Sequence, residues 1–210
     1  CLICSDQPKV DSFAVFGGRG LFILSTMNAM VVFFYHDCNI DKLIYVEPDK
    51  VALSKLHKNI NTFYSYNKED DFSIDVIPYA CSAESNNTVT LHANGCGQSS
   101  ILNVGSKTIE TVGSNFQEYD VKTVSLNDLI NQKCQNFEKA YMCIDTQGYE
   151  WEILKTADKA QLRKHFCYLD IEIMTDTSQY SIDPNQWRYL IHDLIAANFL
   201  PLLLPMGCTE

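Results

Sequence analysis

The chain has 210 residues, 46% of them hydrophobic and 20% charged, which is enough apolar material for one full core and too much for a disordered segment. Its formal net charge of -10 repels phosphate backbones and excludes nucleic acid as the expected partner. No apolar run approaches the ~20 residues that cross a bilayer, so no membrane span is expected.

Residues 12–16 (SFAVF) read as a first strand, broken by Gly17, Gly18 and Gly20. Residues 21–36 then carry apolar side chains at Leu21, Leu24, Ala29 or Met30, and Phe33 or Phe34, the spacing of a mostly buried helix. Strand, glycine turn and helix together begin a nucleotide-binding unit, because glycines let backbone N–H groups approach a ligand at a helix start. Residues 42–48 (KLIYVEP) form a second strand ending in Glu47, and Pro48 suits the first turn of the helix that follows. An acid at that strand tip is where adenosine-binding sheets hold ribose hydroxyls. Residues 67–71 (NKEDD) are a solvated charged loop.

Residues 72–81 alternate through Phe72, Ile74 and Val76 as a third strand. Two short strands, 88–93 and 118–125, flank the polar loop 95–106 and make a strand–loop–strand insertion able to cover the crevice. A brief helix over 126–130 precedes a fourth apolar run, 141–144, which ends in Asp145. A turn through Thr146, Gln147 and Gly148 follows, then a helix to about Lys155 with Glu150 and Glu152 in its first turn, where acids suit the helix dipole. Residues 166–173 (FCYLDIEI) are a fifth strand with Asp170 and Glu172 on one face. An amphipathic helix over 185–198 and a strand from Phe199 close the chain. Alternating strands and helices predict one α/β domain, residues 1–210, with a mainly parallel sheet and helices on both faces.

Nine cysteines are an odd number, and Cys143 and Cys167 sit inside apolar runs, where a reduced thiol acts as a small hydrophobe. This predicts a reducing, cytoplasmic compartment. Cys1 and Cys4 have C-x-x-C spacing without the second pair a zinc site needs. The start at Cys1, without methionine, predicts a domain excised from a longer chain whose other domains are its partners.

Six pieces stand in a fixed order: Y-V-E-P-D-K (45–50), A-C-S-A-E (80–84), G-C-G-Q-S-S-I-L (95–102), V-S-L-N-D-L-I (124–130), C-I-D-T-Q-G-Y-E-W-E-I-L (143–154) and D-I-E-I (170–173). Together they resemble the FkbM family of S-adenosylmethionine-dependent O-methyltransferases. The resemblance implies a class I, Rossmann-like methyltransferase fold. Carried over by position, it implies cofactor contacts from Gly17, Gly18, Gly20, Glu47, Cys81, Ser82 and Asp145, with Glu47 on the ribose. Asp145 would sit at the reaction centre beside Gln98, Ser99 and Ser100. The chain departs from the family's first motif: Val15 stands where an acid is usual, and Gly20 comes three residues after Gly17 instead of four.

Methyl transfer to an alcohol requires that the hydroxyl oxygen be held and its proton removed. Asp145 and Glu172, with Asp170, are the acids expected at that crevice. They serve as a base, or as oxygen ligands for Mg²⁺ or Mn²⁺. Asp170 and Glu172 also have an ordinary structural reading, as partners of Arg163, Lys164 or Arg188, and His92 and His165 are alternative bases. The acceptor implied is a small molecule or a glycan, with a sugar hydroxyl the first expectation and Tyr149, Trp151 and Tyr180 as aromatic surfaces for it. Two other readings share the pattern: a non-catalytic module that keeps the fold, and a nicotinamide-dependent dehydrogenase, which lacks the glycine spacing it needs.

Overall fold

The computed structural model describes residues 2–4, 20–24, 40–66, 73–94, 98–135 and 139–201. In chain order the elements begin β1 (Leu2–Cys4), β2 (Gly20–Leu24), β3 (Ile40–Val46), α1 (Lys50–Tyr66), β4 (Ser73–Ile77), β5 (Ala80–Ser82) and β6 (Thr88–Ala93). They continue with α2 (Ser106–Val112), β7 (Gln117–Ser125), α3 (Leu126–Lys133), β8 (Lys139–Ile144) and α4 (Glu150–Lys155). Last come α5 (Lys159–His165), β9 (Phe166–Ile171), α6 (Gln186–Ala196) and β10 (Phe199–Pro201). This is a mixed α/β structure. None of its described helices is long and apolar enough to cross a membrane.

Seven strands form one sheet in the order β10-β1-β9-β8-β2-β3-β4. The five from β9 to β4 run parallel, while β1 is antiparallel to both β9 and β10. A separate three-stranded sheet, β5-β7-β6, holds the insertion.

The structure corrects the reading of residues 21–24, which form β2 at the centre of the sheet instead of opening a helix. A strand with parallel neighbours on both sides reads as an unbroken apolar run, here Leu-Phe-Ile-Leu, and such a run has no period that separates strand from helix. The expected strand over 12–16 and the rest of the expected helix, 25–36, lie outside the described residues. The third strand is also corrected, because Pro78 divides it. Proline has no N–H to donate to a ladder, so β4 ends before it and pairs with β3, while β5 restarts beyond it against β7. Two described helices, α2 and α5, were not foreseen. The signal for α5 was present: Asp158 accepts from the Ala160 and Gln161 N–H groups, and Arg163, Lys164 and His165 fill the last turn.

Met142 and Ile144 of β8 and Leu169 and Ile171 of β9 face one way and pack with Leu129 and Ile130 of α3, Ile153 and Leu154 of α4, Leu162 of α5, and Leu190 and Leu194 of α6. The alternate residues face the other side, where Tyr141 and Tyr168 stack with ring centroids 4.9 Å apart. Because β3, β8 and β9 are parallel, the residues that follow them come to one edge of the sheet. Glu47 donates its N–H to Ile77 O at 3.1 Å, and Glu172 donates its own to Ile144 O at 2.9 Å, so the ladder fixes both acids at that edge.

Candidate functional site

Glu47 is 5% exposed. One of its oxygens accepts the Asp49 N–H at 2.8 Å, and no hydrogen bond to the other is present among the described residues. Burial pushes this carboxyl up to about 7, with the Asp49 and Asp145 charges adding to the effect. Asp49 caps α1 by accepting from Val51 and Ala52, and its second oxygen accepts the Ser99 hydroxyl at 2.5 Å. Tyr119 of β7 accepts the Lys50 N–H at 2.9 Å while the Lys50 ammonium lies 4.2 Å from its ring. The insertion is thereby tied to the start of α1, directly after Glu47.

The turn after β8 is held by Glu150, which is 2% exposed. Its carboxylate accepts the Thr146 N–H at 2.8 Å, the Thr146 hydroxyl at 3.0 Å and the Gly148 N–H at 3.1 Å. An acid at the first position of α4 therefore folds back and satisfies the turn that precedes it. Gly148 has φ +100°, and a Cβ there would lie 2.9 Å from Ile182 Cγ2 and 3.2 Å from Leu102 Cδ1, so both backbone and space require glycine.

Gln147 also has positive φ, +54°, although it carries a side chain. Its amide nitrogen donates to Asp145 Oδ1 at 2.5 Å and to Glu172 Oε2 at 3.0 Å, and its amide oxygen accepts the Tyr180 hydroxyl at 3.3 Å. Asp145 and Glu172 are hydrogen-bonded to each other. Burial, then the bond to and charge of Asp145, push the Glu172 carboxyl up to about 8, so Glu172 keeps its proton near neutrality. A left-handed, non-glycine residue clamping two acids is strain of the kind found at functional sites.

Glu47, Ala80, Cys81, Ser99, Asp145 and Thr146 line a cleft of about 360 Å³, part of it open to solvent, with Leu91 and Ile101 adding apolar wall. Burial drives the Cys81 thiol up to about 12, which keeps it neutral. His92 and Ser100 exchange backbone hydrogen bonds of 2.8 and 3.1 Å, and the Ser100 hydroxyl donates to Gln147 O at 3.0 Å. Ser99 and Ser100 therefore stand against this cleft.

Other residues are placed elsewhere. Gly20 opens β2 opposite Lys139 and Ile40, at the starting end of the parallel strands, whereas Glu47 and Asp145 follow the finishing ends. The structure does not bring Gly20 to the cleft, and Gly17 and Gly18 lie outside the described residues. Ser82 is buried in β5 and does not line the cleft. Tyr149 and Trp151 are half-buried against the main core, and Tyr180 is 1% exposed. His92 is paired with Glu118 at 3.1 Å in the small sheet, and His165 is buried at the start of β9, at the opposite end from the acids. Asp170 accepts the Tyr141 hydroxyl at 3.0 Å. The metal reading of Asp145, Asp170 and Glu172 does not fit: the outer two share a hydrogen bond, Asp170 is engaged by Tyr141, and no metal-holding group of three such side chains exists among the described residues. Gln147 was missed as a site residue, and Tyr180, expected as a stacking ring, enters instead through its hydroxyl bond to Gln147. Their partners are 25 and 33 residues away, and nothing local in the sequence marks them.

No curated protein and no solved structure matches the chain significantly. The family model described as the methyltransferase FkbM domain matches residues 24–194, a stretch that begins at the last residue of β2 and leaves Gly17, Gly18 and Gly20 outside it. The match agrees with the resemblance carried by the six pieces between residues 45 and 173, supports methyltransferase activity, and sets the dehydrogenase reading aside. The chain belongs to the FkbM methyltransferase family.

Proposed function

We propose that the chain is an S-adenosylmethionine-dependent O-methyltransferase with a class I, Rossmann-like fold, acting on a sugar hydroxyl. The observation that carries this reading is the hydrogen-bonded pair Asp145–Glu172 at adjacent strand ends, beside a cleft rimmed by Glu47. The residues fit the cofactor at its nucleoside end. A buried carboxylate with one uncommitted oxygen matches ribose hydroxyls, and Ala80, Leu91 and Ile101 supply the apolar surface a purine requires. Bound S-adenosylmethionine supplies an electrophilic methyl group. The chain's own task is the proton: as the acceptor oxygen bonds to the methyl carbon and the carbon–sulfur bond breaks, the hydroxyl proton passes to the Asp145–Glu172 pair, whose Glu172 is ionised above about 8 and whose two carboxyls are held by Gln147.

One observation favours a second reading, a non-catalytic module. Residues 25–39, the next in sequence after β2, contain no glycine, the residue type that lets a backbone approach a cofactor closely. Calorimetry with S-adenosylhomocysteine decides between them. Wild-type protein should release binding heat and Glu47→Ala should lose about 1–3 kcal/mol of it in free energy, the scale of hydrogen bonds to a charged group. No binding by the wild type would leave the non-catalytic reading.

A further inference from the structure

Gln147 stands between the Glu47 cleft and a second one. The far walls of this second cleft are Lys107, Thr108 and Thr111 of α2 and Gln179 and Tyr180 of the segment after β9, with Gln98 beside them; it encloses about 300 Å³, including space open to solvent. Its walls are bonded to each other. Gly105 N–H donates to Gln179 O at 2.7 Å, Lys107 N–H to Ser178 O at 3.1 Å, and the Thr108 hydroxyl to Gln179 O at 2.8 Å. A Cβ at Gly105 would stand 2.1 Å from Ser178 O, so this closure depends on glycine.

Every lining side chain ends in an amide, a hydroxyl or an ammonium. The side-chain amides of Gln98 and Gln179 make no hydrogen bond among the described residues, which leaves two donor–acceptor groups facing the same space. The one cation, Lys107, is paired with Asp176 at 2.5 Å, so the lining offers no uncompensated positive charge. Behind Gln147 stand two acids, Asp145 and Glu172. An anion has nothing to gain here. A neutral ligand rich in hydroxyls has several partners.

We propose that this second cleft is the acceptor subsite, and that it takes one neutral, unphosphorylated sugar ring. The proposal rests on the methyltransferase reading for its purpose, and on the polar lining for its chemistry. The lining is seven residues, a contact set that suits a single ring better than an extended chain. An amide presents an acceptor beside a donor and so pairs with adjacent hydroxyls, whereas an apolar polyketide would leave Gln98 and Gln179 unpaired.

The test is an amide-resolved NMR titration of the ¹⁵N-labelled 210-residue chain. Glucose, galactose and mannose are compared with glucose 6-phosphate, each with and without S-adenosylhomocysteine. At least one neutral sugar should shift the amides of Thr108, Thr111 and Gln179, and the phosphorylated sugar should bind about tenfold more weakly or worse. Thr111→Val and Gln179→Ala should weaken the sugar response by a similar factor while leaving the S-adenosylhomocysteine shifts at Ala80 and Cys81 intact. Sugar shifts confined to other residues, no shift with any neutral sugar, or equal binding of the phosphorylated one overturns the subsite. Absence of S-adenosylhomocysteine shifts at Ala80 and Cys81 overturns the methyltransferase reading instead, and does so whatever the sugars show.

Discussion

The Gln147 side chain donates to Glu172 Oε2 at 3.0 Å from a backbone held at φ +54°. The same nitrogen reaches Asp145, and the hydrogen bond from Gln147 lowers the pKa of Glu172 against the burial that raises it. Gln147→Leu removes that donor and keeps the bulk. The rising limb of turnover against pH should then move above its wild-type position near 8, and turnover at neutral pH should fall by about 100-fold, the scale of a disabled general base. A limb that stays in place would mean that Gln147 acts only as packing. Circular dichroism on the same variant shows whether the fold is retained.

Glu47 and Glu172 make the fold sensitive to pH in a direction that can be worked out. Both carboxyls are raised from 4.5, to about 7 and about 8, so the folded state binds their protons more tightly than the unfolded chain does. Their contribution is therefore fully favourable below 4.5 and is lost as pH rises through 7 and 8. Melting temperature should fall across that window, and Glu47→Gln should flatten the slope and melt higher than wild type at its upper end. An unchanged slope in Glu47→Gln would contradict the burial assigned as the cause of this acid's raised pKa.

Two glycines should differ in their tolerance of a methyl group. Gly148→Ala meets Ile182 and Leu102 at φ +100°, so strain and overlap add, and denaturant unfolding should show a loss above about 2 kcal/mol. Gly113→Ala, at φ +85° and ψ 171° with nothing within 4 Å, should cost only the backbone term, about 1–3 kcal/mol, and less than Gly148→Ala. Equal losses would mean that the packing around Gly148 is looser than described.

The parts of this site legible in the sequence are those that local order determines. Glu47 and Asp145 each follow an apolar run and precede a helix, so one strand-tip rule finds both. Asp170 and Glu172 alternate with Leu169 and Ile171, which assigns their face, but the Tyr141 hydroxyl that engages Asp170 belongs to a neighbouring strand. Glu150 looked like a helix-dipole acid and is in fact the acceptor that closes the turn at Thr146 and Gly148. Residues 21–24 misled because a buried strand between parallel neighbours has no polar alternation to declare it, so Leu-Phe-Ile-Leu read as the start of a helix. The second cleft was not legible at all. It forms where the segment of Ser178, Gln179 and Tyr180 meets Gly105 and Lys107, residues about seventy apart that only the folded chain joins.

The central claim is that the Asp145–Glu172 pair handles the acceptor's proton, and Asp145→Asn tests it most directly because it removes the charge and keeps the shape. Two quantities are measured on the variant: S-adenosylhomocysteine affinity by calorimetry, and transfer of labelled methyl from S-adenosylmethionine to the sugar that shifts Thr108 and Thr111. Affinity within about twofold of wild type with turnover reduced by ~100-fold or more is the expected result. Full turnover in Asp145→Asn, or affinity and turnover falling together, would contradict it.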